Sequence, residues 1–322
     1  MKRPLIRLIP DWQNPKGLVL VWPETIYDDL MGFYTKFSEY IPEGIDLVLL
    51  VKDETTGKNI LKKIPKGFIY VVIPKLMDIW IKDWAPIPAI DSNRNKVFIK
   101  TIFKPKYHYA KNAKTIDEVG NKLPSILGGK MINIKLILDG GNLTHNGNGV
   151  GIVTQRILKD NNNYSENDIH SLFKEYLGIY KLVIIPEEPD DKTGHIDGIC
   201  RFLNPKTLLL GEYPKYFQKE SRYISRVFKK LKYELGDDFT IIKILNGKTS
   251  EEKFEGIYSA EGNYINFLRL GSKILFPTYG LDNDDQINNL SKFGEIISIN
   301  LPGIKILSSK GGILNCFSWA YY

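Results

Sequence analysis

A chain of 322 residues with 43 % hydrophobic and 12 % aromatic side chains can bury a sizeable core, so one large or internally repeated domain spanning 1–322 is expected. Its 44 basic and 37 acidic residues leave a formal charge of +7. The short clusters at 104–111 and 228–233 read as solvated faces rather than a nucleic-acid surface. Two cysteines exclude a disulfide framework, and four histidines without ligand spacing exclude the usual zinc patterns. Arg7, Pro10 and Asp11 interrupt the start, and no stretch approaches the roughly 20 apolar residues of a membrane span, so a cytoplasmic protein without membrane contact is expected.

Element types repeat along the chain. GLVLVWP (17–23) reads as a strand, 28–40 as a helix, and IDLVLLV (45–51) with FIYVVIP (68–74) as strands. The pattern returns as strand 95–103, a helix near 115–127 and strand 132–138, then as strand 149–155, helix 165–178 and strand 180–186. It continues as strand 206–213, helix 215–236 and strand 239–245, and as strand 272–280, helix 283–294 and strand 296–302. The clearest helix has Ser165 as cap, Ile169, Leu172, Phe173, Tyr176 and Leu177 on one face, and Gly178 as stop. About five strand–helix–strand units of similar period predict an arrayed α/β fold whose equivalent loops meet at one end.

Residues capable of chemistry fall in the segments after the second strands: Asp83 in DIWIKDWAP, Asp139 in LDGGN, His195 and Asp197 in TGHID, and Cys316 in GGILNC. A Cys with a distant His and carboxylates is the pattern of a thiolate nucleophile with its base and orienting acid. One acid suffices to orient a His. Three aspartates imply a cationic substrate whose charge must be matched. The paired glycines after Asp139 permit a tight turn and a close approach, and His195 and Asp197, two residues apart, share a face if the chain is extended there. Cys200, in the middle of GICRFL, reads as a core residue.

These segments together resemble the agmatine deiminases and the Porphyromonas-type peptidylarginine deiminases. DIWIKDWAP is similar to their DxWxRDxGP, LDGGN to [ED]GGN, TGHID to GHVD/GHID and GGILNC to GGGNxHC. LVLVWP resembles their first strand, and NYINFLRLGSKILFPTYG their SYxNFxxxNxxVxxPxYG. The resemblance spans nearly the whole chain and implies the five-fold pseudosymmetric α/β propeller, the pentein fold of guanidine-modifying enzymes, with no cofactor and no metal. It implies Cys316 as nucleophile, His195 as general acid/base and Asp139 as its orienting acid. Asp83 and Asp197 would clamp the guanidinium, Asn266 would lie near the substrate, and Trp84, in a loop where Trp84–Ala85 replaces the family's x–Gly, would contact it as well. Lys82 replaces the family's usual Arg, Asp139 the Glu of agmatine deiminases, and Asn315 the His before the nucleophile. The implied reaction is hydrolysis of agmatine or a similar small guanidine. Free or peptidyl arginine is the alternative substrate, and a binding protein on the same scaffold, like the ribosome anti-association factor, the non-enzymatic alternative. A small cationic guanidinium is thus the expected partner, and a homo-oligomer stays open.

Overall fold

The computed structural model describes residues 5–23, 30–64, 67–247 and 253–322. The first two residues of the helix predicted at 28–40 lie outside them. The chain groups into two compact units, 1–10 with 83–245 and 11–82 with 246–322.

In the first unit, the predicted strand pairs form around parallel ladders. Lys96–Ile102 pairs with Lys130–Ile137, Val150–Thr154 with Lys181–Ile185, and Thr207–Glu212 with Thr240–Leu245. Their near-continuous Val, Ile and Leu content suits strands covered on both faces, and Val150–Thr154 is buried throughout. Each parallel pair needs a crossover, and helices supply it. Glu166–Leu177 starts with a capping box between Ser165 and Asp168 and ends at Gly178 in the left-handed region (φ 62°). A side chain at Gly178 would collide with Ile6 O, because the N-terminal segment crosses there. Ile169, Phe173 and Leu177 bury against Val97, Ile99, Leu136 and Leu182, forming the core of this unit. Gln218–Leu235 turns Tyr223, Ile224, Val227, Leu231 and Leu235 inward. The stretch predicted near 115–127 is two helices, Ala110–Gly120 and Leu123–Leu127, with Pro124 in the first turn of the second.

In the second unit, Gly17–Val21, Asp46–Val51 and Phe68–Val72 form a parallel run, and Lys273–Pro277 pairs in parallel with Glu295–Ile299. Helix Leu30–Ser38 buries Leu30, Phe33, Tyr34 and Phe37. The helix predicted at 283–294 is a 3-10 helix, Asp284–Phe293. Its Asn and Asp side chains compete for backbone groups and disfavour a regular α-helix.

An antiparallel strand, not anticipated, borders the first strand of each repeated pair. These are Ile87–Ile90, Thr144–His145 and Cys200–Asn204 in the first unit. Leu268–Leu270 and Ser318–Tyr321 play the same part in the second. The candidate residues therefore occupy the link from each second strand to the antiparallel strand that follows it. Cys316 sits directly before Ser318–Tyr321, with helix Pro302–Ser309 between it and the preceding strand. No helix among the described residues is long and apolar enough to cross a membrane.

Candidate active site

In the first unit three loops bring four of the expected residues together. Asp83 lies in the helical turn Ile81–Trp84, Asp139 precedes the turn Gly140–Asn142, and His195 and Asp197 precede strand Cys200–Asn204. Gly141 is the pivot. Its N–H donates to Asp83 Oδ1 at 3.0 Å, and its carbonyl accepts from Ile196 N and Asp197 N, each at 3.1 Å. A Cβ on Gly141 would stand 2.5 Å from Asp83 Oδ1 and 2.7 Å from His195 Nδ1. Only glycine lets the backbone approach both groups. The loop before His195 is set by Asp191, whose carboxylate accepts from Thr193 N at 2.9 Å and Gly194 N at 2.7 Å. Gly194 adopts a positive φ of 63°, and its carbonyl accepts from Thr154 Oγ1 at 2.6 Å.

His195 is gripped from both ring nitrogens. Nε2 lies 3.2 Å from Asp139 Oδ2 and Nδ1 lies 3.6 Å from Asp83 Oδ1. Tyr107 adds a contact that sequence reasoning missed. Its hydroxyl donates to Asp139 Oδ2 at 3.0 Å and stands 3.4 Å from His195 Nε2. Tyr107 lies within the basic segment 104–111, whose composition reads as a solvated face, so nothing in the motif pointed to it. Burial alone would lower the pKa of His195, but the charges of Asp83, Asp139 and Asp197 outweigh it and raise it to about 10. With that value the ring is an imidazolium at neutral pH, its charge matched by the surrounding carboxylates.

Trp84, at 1 % exposure, is among the largest fully buried side chains. Its backbone carbonyl presses on Gly120, where a Cβ would sit 2.3 Å away.

The second unit contains Cys316 and Asn266. The Asn266 amide is engaged with the loop that carries Cys316. Its Oδ1 accepts from Asn315 N at 3.1 Å and Cys316 N at 3.3 Å, and its Nδ2 donates to Cys316 Sγ at 3.1 Å. Lys82 N donates to Cys316 O at 3.1 Å, and Phe317 is packed 5.6 Å from Phe33 and 5.3 Å from Phe37. Ser318 Oγ donates to Leu314 O at 2.6 Å. The thiol is thus held from the side chain, the backbone and the next residue at once. Trp80, half-buried, lies over Gly312, where a Cβ would meet the indole at 2.3 Å. Cys200 is fully buried, and burial pushes its thiol pKa well up, as a core cysteine requires.

The chain matches the Porphyromonas-type peptidyl-arginine deiminase family over residues 7–321. It is similar to agmatine deiminase of Medicago truncatula, at 26 % identity over 57 % of this chain and 56 % of that enzyme. To agmatine deiminase of Pseudomonas aeruginosa (strain LESB58) it is 22 % identical, over 97 % of this chain and 94 % of that one. Among solved structures, a Cys-to-Ser variant of C. jejuni agmatine deiminase with substrate bound superposes with a TM-score of 0.84 at 19 % identity. That alignment covers 99 % of this chain and 96 % of the other, a likeness of fold.

Proposed function

The chain belongs to the Porphyromonas-type peptidyl-arginine deiminase family, and from that premise we propose that it hydrolyses the guanidinium group of agmatine, or of a similar small guanidine, to a ureido product and ammonia. Residues 1–322 act in this reading as one catalytic domain, with the repeated units in the five-fold propeller that the motifs imply.

A guanidinium is planar and permanently charged, and carboxylates match its rigid fork of donors. Asp83 and Asp197 take that part. Asp139 holds His195 Nε2, which leaves Nδ1, the nitrogen beside Asp83, to move the proton. The Cys316 thiolate attacks the guanidinium carbon and forms a carbon–sulfur bond. His195 Nδ1 gives its proton to the departing nitrogen, the carbon–nitrogen bond breaks, and ammonia leaves a thiouronium. The now neutral His195 takes a proton from water, the hydroxide adds to the same carbon, and the carbon–sulfur bond breaks to return the thiolate, while the new hydroxyl gives up its proton to solvent, where ammonia takes it as ammonium. Arrival of a second cation among the same carboxylates lowers the affinity of His195 for its proton, which suits a group that must act first as acid and then as base.

The observation carrying this reading is the surplus of carboxylate around His195. Asp139 alone would orient the ring, yet Asp83 stands against the other nitrogen and Asp197 adds its charge. Purified protein incubated separately with agmatine, arginine, small guanidines and an arginine-containing peptide should release ureido product and ammonia in equal amounts, fastest from agmatine. No ureido product from any of them would end the proposal, and a preference for the peptide would move the substrate to peptidyl arginine.

A further inference from the structure

We propose that Tyr107 is a positioning residue for His195, its hydroxyl fixing the Asp139 carboxylate and the imidazole in one hydrogen-bonded triangle. For the kinetic consequences the inference rests on the deimination reading above; for the coupling itself it rests on geometry alone.

Three atoms define the triangle: Tyr107 O–H to Asp139 Oδ2 at 3.0 Å, Asp139 Oδ2 to His195 Nε2 at 3.2 Å, and Tyr107 Oη to His195 Nε2 at 3.4 Å. A tyrosine hydroxyl carries one proton, and the carboxylate, acceptor-only, receives it. Nε2–H lies nearer the carboxylate at 3.2 Å than the phenol oxygen at 3.4 Å, so the phenol is the weaker of its two acceptors and donation to Asp139 is the larger effect of the hydroxyl. The Tyr107 ring stands nearly perpendicular to the imidazole, 76° at 6.0 Å between centroids. Edge-to-face packing of this kind limits rotation of the imidazole about its own bond.

The chemistry follows from where the charge sits. A donor to Asp139 Oδ2 draws off part of the negative charge that would otherwise bear wholly on the imidazolium. The groups facing His195 are Asp83, Asp139 and Asp197, all anionic, and Tyr107, the neutral one. Lys100 and Arg156 feel the charge of Asp139 as well. Tyr107 is thereby the group that keeps the ring from holding its proton too tightly to return it. Asp139, one methylene shorter than the Glu expected at this place in agmatine deiminases, keeps its bond to Nε2 with the phenol braced against the same oxygen.

The test is Tyr107→Phe, which keeps the ring and its edge-to-face contact while removing the hydroxyl. The titration of His195 is followed by nitrogen-15 NMR in wild type and variant, and the resonance is assigned by its loss in His195→Gln. Removing the donor should move the titration upward by about half a unit or more. With agmatine, kcat should fall roughly 5- to 50-fold with KM within about twofold, and the ascending limb of the kcat profile should move to higher pH. An unmoved titration and pH profile, with or without a lower Tm, would overturn the proposal and make Tyr107 a packing residue. If Tyr107→Phe does not fold, 3-fluorotyrosine placed at 107 supplies a stronger donor and should shift His195 the opposite way, an unmoved titration again overturning the proposal. A wild-type protein that turns over no guanidine would defeat the deimination reading, while the NMR titration would still decide the role of Tyr107.

Discussion

Charge holds the Asp83–Asp139–His195–Asp197 cluster, and neutral amides hold Cys316. Around His195, three carboxylates act on one imidazole, and the cluster's properties change with every proton bound or lost. Around Cys316, one asparagine side chain makes three contacts and an aromatic cluster anchors the following residue. On the reading proposed above, the first arrangement recognises a cation and moves protons, so it must be titratable. The second, on the same reading, must present a sulfur in one place whatever the pH.

Substitutions test this difference. The largest effect should come from Cys316→Ala, which removes the bond-forming atom. Turnover of agmatine should fall by on the order of 10⁴ or more while the urea midpoint changes little. A variant that stays active but is several kcal/mol less stable would show that the thiol only packs. Next come Asp83→Asn and Asp197→Asn, each expected to lower kcat/KM by about 10² or more through lost charge-assisted hydrogen bonds. Full activity in Asp83→Asn would mean that the charge on this loop is not used.

Asn266→Ala separates the regions more finely. It should slow alkylation of Cys316 by iodoacetamide roughly 5- to 20-fold and leave the His195 titration untouched, since the amide serves the sulfur and its loop. A changed His195 titration with unchanged alkylation would reverse the assignment. The smallest effect is in stability. The folded pKa of His195 is about 10, above its ordinary 6.5, so its stabilisation is fully present below pH 6.5 and is lost as pH rises through about 10. Wild type should therefore lose its urea-midpoint advantage over His195→Gln between pH 7 and pH 10.5. An advantage constant across that range would show a neutral ring throughout.

The family was legible in the sequence, because four short motifs in a fixed order specify far more than any one of them. The parallel strand pairs were legible too, since runs such as LVII and TIIKIL declare themselves by β-branched content between turns. The antiparallel strands were not. Thr144–His145 is two residues long, Ile87–Ile90 contains Pro88, and Ser318–Tyr321 pairs with Gly17–Val21 from the far end of the chain. Local propensity carries no record of such distant pairing. Tyr107 was hidden for a similar reason. Its value lies in two partners on other loops, and its own segment advertises only lysines and aromatics.

The pairing of Ser318–Tyr321 with Gly17–Val21 also sets an order of events during synthesis. Gly17–Val21 is synthesised well before Ser318–Tyr321, and its edge stays open until that neighbour arrives. Cys316 immediately precedes that neighbour, so the thiol takes its final position only when the closing strand docks. A nascent chain halted before residue 318 would carry every charged group of the His195 cluster while Cys316 still lacked the strand that follows it, and on the reading proposed above it would be without activity.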